Sequence, residues 1–156
     1  MKYEVVKEHH AVGESNFHYQ LTPAYRQPIF ADERVRKLTE AYLRAKAEEL
    51  CVAIISVNFG PDHMHVFVGQ CKNFSAATLV QRFKGYIARV MRKNHRALFS
   101  NLLWGKKFWT SGYFYRSVGQ ATNEAIRYYI EHSQAKHWEV VDYEVVAARA
   151  EKQSTL

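Results

Sequence analysis

Residues 51–70 read CVAIISVNFGPDHMHVFVGQ, and the prediction of the fold starts from the pattern of this stretch. Its first part, 51–58, is rich in β-branched residues and is typical of a buried strand. A tight turn follows at 60–62, and residues 63–70 return as a second apolar strand. The sequence therefore predicts a β-hairpin at the centre of the chain.

Periodicity predicts one strand and one helix before the hairpin and one helix after it. Residues 16–22, NFHYQLT, alternate apolar and polar side chains, which predicts a half-buried strand. A helical pattern with Asp32 as N-cap covers residues 31–50, and Ser75 caps a second helix from 76 to about 94.

The remaining pattern completes an α+β fold. The aromatic and β-branched residues 108–118 predict a strand broken at Gly112, and a last helix runs to about Lys136. We expect an antiparallel sheet with helices packed on one side, a ferredoxin-like or RRM-like sandwich. The predicted divisions are an N-terminal lead-in at 1–15, one domain at 16–138 and a partly disordered tail at 139–156.

Charge is segregated along the chain. The net charge is +7, and no Asp or Glu occurs between residues 63 and 123. Such a segment builds a positive surface, which is typical of proteins that bind a phosphate backbone. We expect phosphate contacts from the following basic residues: Arg26, Arg82, Lys84, Arg89, Arg92, Lys93, Lys106 and Lys107.

Aromatic residues lie close to these charges. Single-stranded nucleic acids are bound through stacking of bases on aromatic rings. About half of the aromatic residues of the 108–118 strand should face inward, since side chains alternate along a strand. The candidates are Phe108, Trp109, Tyr113, Phe114 and Tyr115.

Two histidines open the second strand of the hairpin. His63 and His65 point to the same face of the sheet, and Met64 points to the other. Two neutral imidazoles on one face can bind a divalent ion and leave other coordination positions open.

The last predicted helix carries a candidate nucleophile, Tyr129. Its phenol could attack a phosphate that a metal ion polarises. His132 and Ser133 follow three and four residues later and share its helical face.

No apolar stretch has the length of a membrane span, and the start of the chain lacks the apolar core of a signal peptide. Cys51 and Cys71 match no metal-binding spacing. We therefore expect reduced thiols, no membrane partner and a cytoplasmic protein that associates with the nucleoid when bound to DNA.

Five sequence blocks carry a family resemblance and run in the family's order over roughly residues 16–135. The chain resembles IS200/IS605-family transposases, the TnpA-like single-tyrosine HUH endonucleases. The blocks are FHYQLTPAYRQPIF, NFGPDHMHVFV, SAATLVQRFKGYIARVMRK, LWGKKFWTSGYFYRSVG and YIEHSQ.

The resemblance implies a metal-dependent enzyme that nicks and rejoins single-stranded DNA at hairpins near the ends of a mobile element. His63 and His65 would hold Mg²⁺ or Mn²⁺, and Tyr129 would form a 5′-phosphotyrosine intermediate. It also implies a homodimer whose active sites are shared between subunits.

The third metal ligand departs from the family pattern. The family has Gln four residues after the tyrosine, where this chain has Ser133. We favour His132 as the third ligand, with Ser133 and Gln134 as alternatives.

Two other functions remain open. One is a non-catalytic or domesticated nucleic-acid-binding protein of the same fold that recognises hairpins. The other is a metal-dependent hydrolase that uses water, which ranks last because residues 63–123 supply no carboxylate.

Overall fold

The computed structural model describes residues 6–7 and 12–119, and it forms two antiparallel sheets. A small one pairs β1 (Val6–Lys7) with β2 (Val12–Gly13). The main sheet has the strand order β4-β5-β3-β6. Its strands are β3 (Asn16–Leu21), β4 (Ala53–Gly60), β5 (His63–Gly69) and β6 (Phe114–Val118).

Two helices, α1 (Glu33–Leu50) and α2 (Ala76–His95), begin at the predicted caps. The Asp32 carboxylate accepts a hydrogen bond from the Arg34 backbone N–H at 2.8 Å. The Ser75 hydroxyl accepts one from the Thr78 N–H at 3.1 Å. Short 3₁₀ turns lie at Ala24–Arg26, Ile29–Ala31 and Arg96–Leu98.

The order β-α-β-β-α-β confirms the predicted ferredoxin-like architecture. Its core lies between the helices and one face of the sheet. That face contributes Phe17, Tyr19, Leu21, Val57, Phe59, Met64, Val66 and Val68, and the helices contribute Val35, Leu43, Leu79, Phe83 and Ile87. Helices therefore pack on one side of the sheet. His63 and His65 of β5 lie on the other face.

The strand predicted at 16–22 is present as β3, but the expectation that it is half-buried is wrong, because every residue of β3 is buried. Alternation along a strand reports the chemistry of its two faces, and it does not report whether either face meets solvent. The polar face of the sheet is thus buried as well as the apolar face. This burial distinguishes the polar face from the solvent-exposed polar face of an ordinary half-buried strand.

The predicted strand at 108–118 is correct only in its second half, β6. Residues 108–110 continue instead alongside the segment that follows β3. The Ala24 N–H donates to the Phe108 carbonyl at 2.9 Å, and the Thr110 N–H donates to the Thr22 carbonyl at 2.9 Å. Phe108 and Trp109 are accordingly buried.

The first hairpin strand begins at Ala53 and not at Cys51. Cys51 ends α1 in the left-handed conformation with φ 58°, so the chain must turn before the strand starts. Both cysteines are free thiols, as expected. Burial raises the pKa of the Cys71 thiol to about 12, which keeps it protonated. Among the described helices, none combines the length and apolar character that crossing a bilayer requires.

Candidate metal and nucleic-acid site

His63 and His65 lie side by side on the polar face of β5, and both are buried. Their ring centroids are 5.3 Å apart, and the ring planes are nearly perpendicular at 84°. The predicted pairing of the two imidazoles on one face is therefore present. The contacts at Nδ1 determine which nitrogen of each ring a cation would meet.

The Nδ1 atom of His63 is held by a carboxylate. It donates a hydrogen bond to Asp62 Oδ1 at 2.9 Å, and Arg26 forms an ion pair with the same carboxylate at 3.2 Å. The hydrogen bond from His63 lowers the pKa of Asp62, and the Arg26 charge adds to that effect. Such a carboxylate–histidine pair fixes the ring and directs Nε2 toward a metal.

The Nδ1 atom of His65 has a different partner, His18 on the neighbouring strand. It lies 3.0 Å from His18 Nε2, and the two rings stack with centroids 5.1 Å apart. A metal on Nε2 of His65 requires the proton on Nδ1, which then donates to His18 Nε2. The two predicted ligands therefore share one arrangement, in which a contact at Nδ1 orients the ring.

Burial favours the neutral form of the His18 and His65 rings. It lowers the pKa of His18 to about 3, and the positive charge of Arg116 lowers it further. Burial is also the main reason that the pKa of His65 is lowered, followed by its neighbours His18 and His63. A neutral imidazole has the lone pair that a metal ion needs.

Gly60 provides the space in which the His63 ring lies. Gly60 and His63 are register partners across the hairpin, and a Cβ on Gly60 would overlap the imidazole. The sequence analysis assigned Gly60 only to the turn. The ring contact could not be seen without the strand register.

Two carboxamides flank His65 across the sheet. Asn58 on β4 and Gln20 on β3 are its register partners, so all three side chains share one face. Both amides are 1% exposed, and within residues 6–7 and 12–119 neither the oxygen nor the nitrogen of either one has a hydrogen-bond partner. An unsatisfied buried polar group costs about 1–3 kcal/mol, so this cluster calls for an ion or ordered water.

The donor set fits a divalent ion with mixed nitrogen and oxygen ligands. It offers two oriented imidazoles, a recess that lacks a Cβ, and buried amide oxygens. Within residues 6–7 and 12–119, however, no group of three or more His, Cys, Asp or Glu side chains could hold a metal ion. A third protein ligand to such an ion would therefore be of another type or lie outside the described residues. The predicted Tyr129, His132, Ser133 and Gln134 lie outside the described residues.

The predicted phosphate-binding residues fall into two groups. Five are exposed and available to a ligand: Arg82, Arg89, Lys93, Lys106 and Lys107. The other three make internal contacts, beginning with the ion pair of Arg26 to Asp62. Lys84 Nζ donates to the carbonyls of Thr110 and Gly112 at 2.8 and 3.2 Å, and Arg92 donates to those of Leu103 and Lys107.

The aromatic candidates divide in the same way. Phe108 and Trp109 are buried, Tyr113 and Phe114 are partly buried, and Tyr115 is exposed. The two most exposed aromatic rings among the described residues, Tyr25 and Trp104, at 74% and 75%, are not among the predicted stacking residues. Both lie next to predicted basic contacts, Arg26 and the pair Lys106 and Lys107, and that adjacency was a signal in the sequence.

Comparison with known proteins identifies the family. The model of the family described as IS200-like transposases matches residues 11–133, which is most of the chain. The chain belongs to the IS200-like transposase family. Membership places it among DNA transposases.

Individual relatives agree with the family assignment. The IS200-like chain is 27% identical over 128 residues to the ISDra2 transposase TnpA of Deinococcus radiodurans, with 82% of this chain and 90% of the relative covered. A crystal structure of a protein from D. radiodurans, assigned there as a transposase, superposes with a TM-score of 0.64 at 25% identity. That match covers 81% of this chain and 96% of the other.

A more distant structure supports the fold. It is a REP-associated tyrosine transposase bound to a REP hairpin, and it superposes with a TM-score of 0.51 at 11% identity. The match covers 88% of this chain and 76% of that one. The IS200-like chain therefore shares its architecture with both solved structures.

Proposed function

We propose that this IS200-like protein is a metal-dependent transposase that cuts and rejoins single-stranded DNA through Tyr129. The observation that carries the proposal is the buried pair His63 and His65, each held through Nδ1 by a neighbouring side chain, Asp62 for His63 and His18 for His65. Oriented imidazoles are the feature that separates a metal-binding sheet from a sheet that only binds nucleic acid. Family membership supplies the class of reaction.

The cation site is proposed to take Mg²⁺ or Mn²⁺. His63 and His65 would hold the ion, and His132 is the favoured third ligand, with Ser133 and Gln134 as alternatives. When bound, the ion would polarise the scissile phosphate and stabilise the charge that develops on its oxygens.

The chain's own residues carry the covalent steps. The Tyr129 phenolate oxygen attacks phosphorus, a Tyr–O–P bond forms, and the P–O3′ bond breaks. The departing 3′ oxygen takes a proton and becomes a free 3′-OH, while the 5′ side remains as a phosphotyrosine. A 3′-OH of a second strand then attacks the same phosphorus and releases Tyr129, so no external energy source is needed.

DNA binding is proposed to use the exposed basic residues of α2 and of the connector that follows it. Arg82, Arg89 and Lys93 would contact phosphates from the helix, and Lys106 and Lys107 from the connector. The solved REP-associated relative is bound to a hairpin, and we propose hairpin recognition for this chain too. We further propose a homodimer with shared active sites, acting in the cytoplasm on DNA.

The test uses single-stranded oligonucleotides tiled over the DNA that flanks the gene. Each is incubated with protein and Mg²⁺ or Mn²⁺ and run on a denaturing gel, where a covalent adduct migrates as a shifted band. We expect an adduct with wild-type protein and with Tyr128→Phe, and none with Tyr129→Phe. Retention of the adduct in Tyr129→Phe would refute the assigned nucleophile.

The second candidate is a hairpin-binding protein that has lost catalysis. Ser133 at the position of the family's Gln is the observation that favours it. It predicts salt-sensitive hairpin binding by the wild-type protein without any adduct on any oligonucleotide or with either ion.

A further inference from the structure

The strongest unexplained feature of the described chain is the row Asn58–His65–Gln20 on the polar face of the sheet. These residues are direct register partners on three adjacent strands, β4, β5 and β3. Opposed residues on one face of a sheet have Cβ atoms about 4.5–5.5 Å apart, so their side chains share one small volume. The row therefore places one carboxamide on each side of His65, a proposed metal ligand.

The two carboxamides are buried without any of the bonds that buried amides normally make. Each is 1% exposed, and the four polar atoms lack hydrogen-bond partners. Native proteins rarely leave such groups unpaired, and an ion or ordered water is the usual explanation.

The neighbours of the row indicate a cation more than an anion. His63 and His65 are both buried, and the Nδ1 atom of each lies beside a partner, Asp62 and His18 respectively. Imidazole nitrogens held in this way are ordinary ligands of divalent ions. Asp62 brings a carboxylate to the edge of the site through its hydrogen bond to His63. Carboxamide oxygens are ordinary ligands of divalent ions that prefer oxygen, and they also hold the water molecules of a partly hydrated ion.

We propose that Asn58 and Gln20 belong to the cation site and donate their carboxamide oxygens to the divalent ion or to its bound water. This inference rests on the proposed function, since it concerns the same ion that His63 and His65 would hold. It explains how the chain can manage with Ser133 where the family has Gln: the sheet itself supplies amide oxygens.

The proposal is tested by Mn²⁺ binding, measured by titration calorimetry and by the electron paramagnetic resonance signal of free Mn²⁺. The protein is the full chain carrying Tyr129→Phe, so that no DNA chemistry is involved. We expect Gln20→Leu and Asn58→Leu each to weaken Mn²⁺ binding by about 10- to 100-fold, the range typical of groups that support a metal site. Gln20→Glu retains an oxygen donor and should restore or tighten binding.

A second measurement separates a binding role from a structural one. In metal-free protein, replacing an unpartnered buried amide by Leu removes a polar group that nothing satisfies, so the melting temperature should hold or rise. Thr39→Val is the matched control, because Thr39 Oγ1 is also buried and unpartnered but lies on α1. It should leave the Mn²⁺ affinity unchanged.

The outcomes distinguish this inference from the proposed function. If the parent protein binds no Mn²⁺, or if His63→Ala binds it as well as the parent does, the proposed metal site itself is refuted. If the parent binds Mn²⁺, His63→Ala does not, and both Leu variants bind normally, only the role of Asn58 and Gln20 is refuted. Weakened binding in the Leu variants with no loss of melting temperature supports the inference.

Discussion

The two faces of the sheet are both buried along its central strands β3 and β5, yet they bury opposite chemistry. The face toward α1 and α2 is apolar, with Tyr19 and Val66 at its centre. The other face carries histidines and carboxamides, of which His65 and Gln20 are each 1% exposed. Burial of apolar groups stabilises a fold, whereas burial of polar groups without internal partners costs stability. Under the proposals above, one face therefore supplies stability and the other would supply binding.

The sharpest test of this division compares alanine substitutions at two neighbouring residues of β5. Met64→Ala, on the apolar face, should lower the free energy of unfolding by about 2–5 kcal/mol, because it removes buried contacts and leaves a cavity. His65→Ala, one residue away on the polar face, should cost less stability but abolish the rise in melting temperature that Mn²⁺ causes. Urea unfolding and thermal melts with and without Mn²⁺ measure both. Equal stability losses together with an intact Mn²⁺ effect would contradict the division.

Much of this architecture follows from the sequence alone. Alternation in residues 16–22 and the His63–Met64–His65 triplet indicate which side chains share a face, since the period of a strand is two. The caps Asp32 and Ser75 are readable because their side-chain hydrogen bonds are local.

What could not be predicted depends on register between distant parts of the chain. His18 lies 47 residues from its partner His65, and no local pattern links them. No local pattern shows that the His63 ring lies against Gly60. Nor does one show that residues 108–110 form hydrogen bonds with the segment after β3 and do not belong to β6. Periodicity describes one strand at a time, whereas the site is built across strands.

A second prediction concerns pH in metal-free protein, held in EDTA. The folded pKa of His18 is about 3, below the ordinary value of 6.5 that we assign to the unfolded chain, because His18 is buried and lies near the positive charge of Arg116. Between those values the unfolded chain binds more protons, so stability is full above pH 6.5 and falls as pH decreases.

The slope from His18 alone approaches about 1.4 kcal/mol per pH unit, or roughly 2 kcal/mol between pH 6.5 and 5. Unfolding free energies measured across this range should show it. His18→Leu should remove this share of the slope, and the acid sensitivity that remains then reports the other titrating groups, including His65. Identical slopes in the variant and the wild type would show that His18 is not held neutral by the polar face.

The third prediction concerns the recess beneath His63. Gly60→Ala should displace the imidazole, since the added Cβ overlaps it, and weaken Mn²⁺ binding by roughly tenfold, as expected for a disturbed metal ligand. Gly85→Ala is the matched control. Its Cβ meets nothing within 4 Å, and alanine in a helix is about 1 kcal/mol more favourable than glycine. If the two variants bind Mn²⁺ equally well, the recess does not position His63.

The smallest effect is expected for the Tyr19 hydroxyl, a polar group on the apolar face. The Tyr19 hydroxyl donates a hydrogen bond to the Ala76 carbonyl at 2.7 Å and so ties β3 to the first turn of α2. Tyr19→Phe should lower the free energy of unfolding by about 0.5–1.5 kcal/mol, the usual net contribution of one such bond, and leave Mn²⁺ affinity unchanged.

The contrast with Gln20, the next residue on the same strand, completes the comparison. Tyr19 has a polar atom with a partner, so its removal should cost stability and spare binding. Gln20 has polar atoms without partners among the described residues, so its removal should spare stability and cost binding. Opposite outcomes at these adjacent positions would follow directly from the opposite faces to which they point. The same outcome at both would mean that burial of polar groups in this sheet does not mark a site.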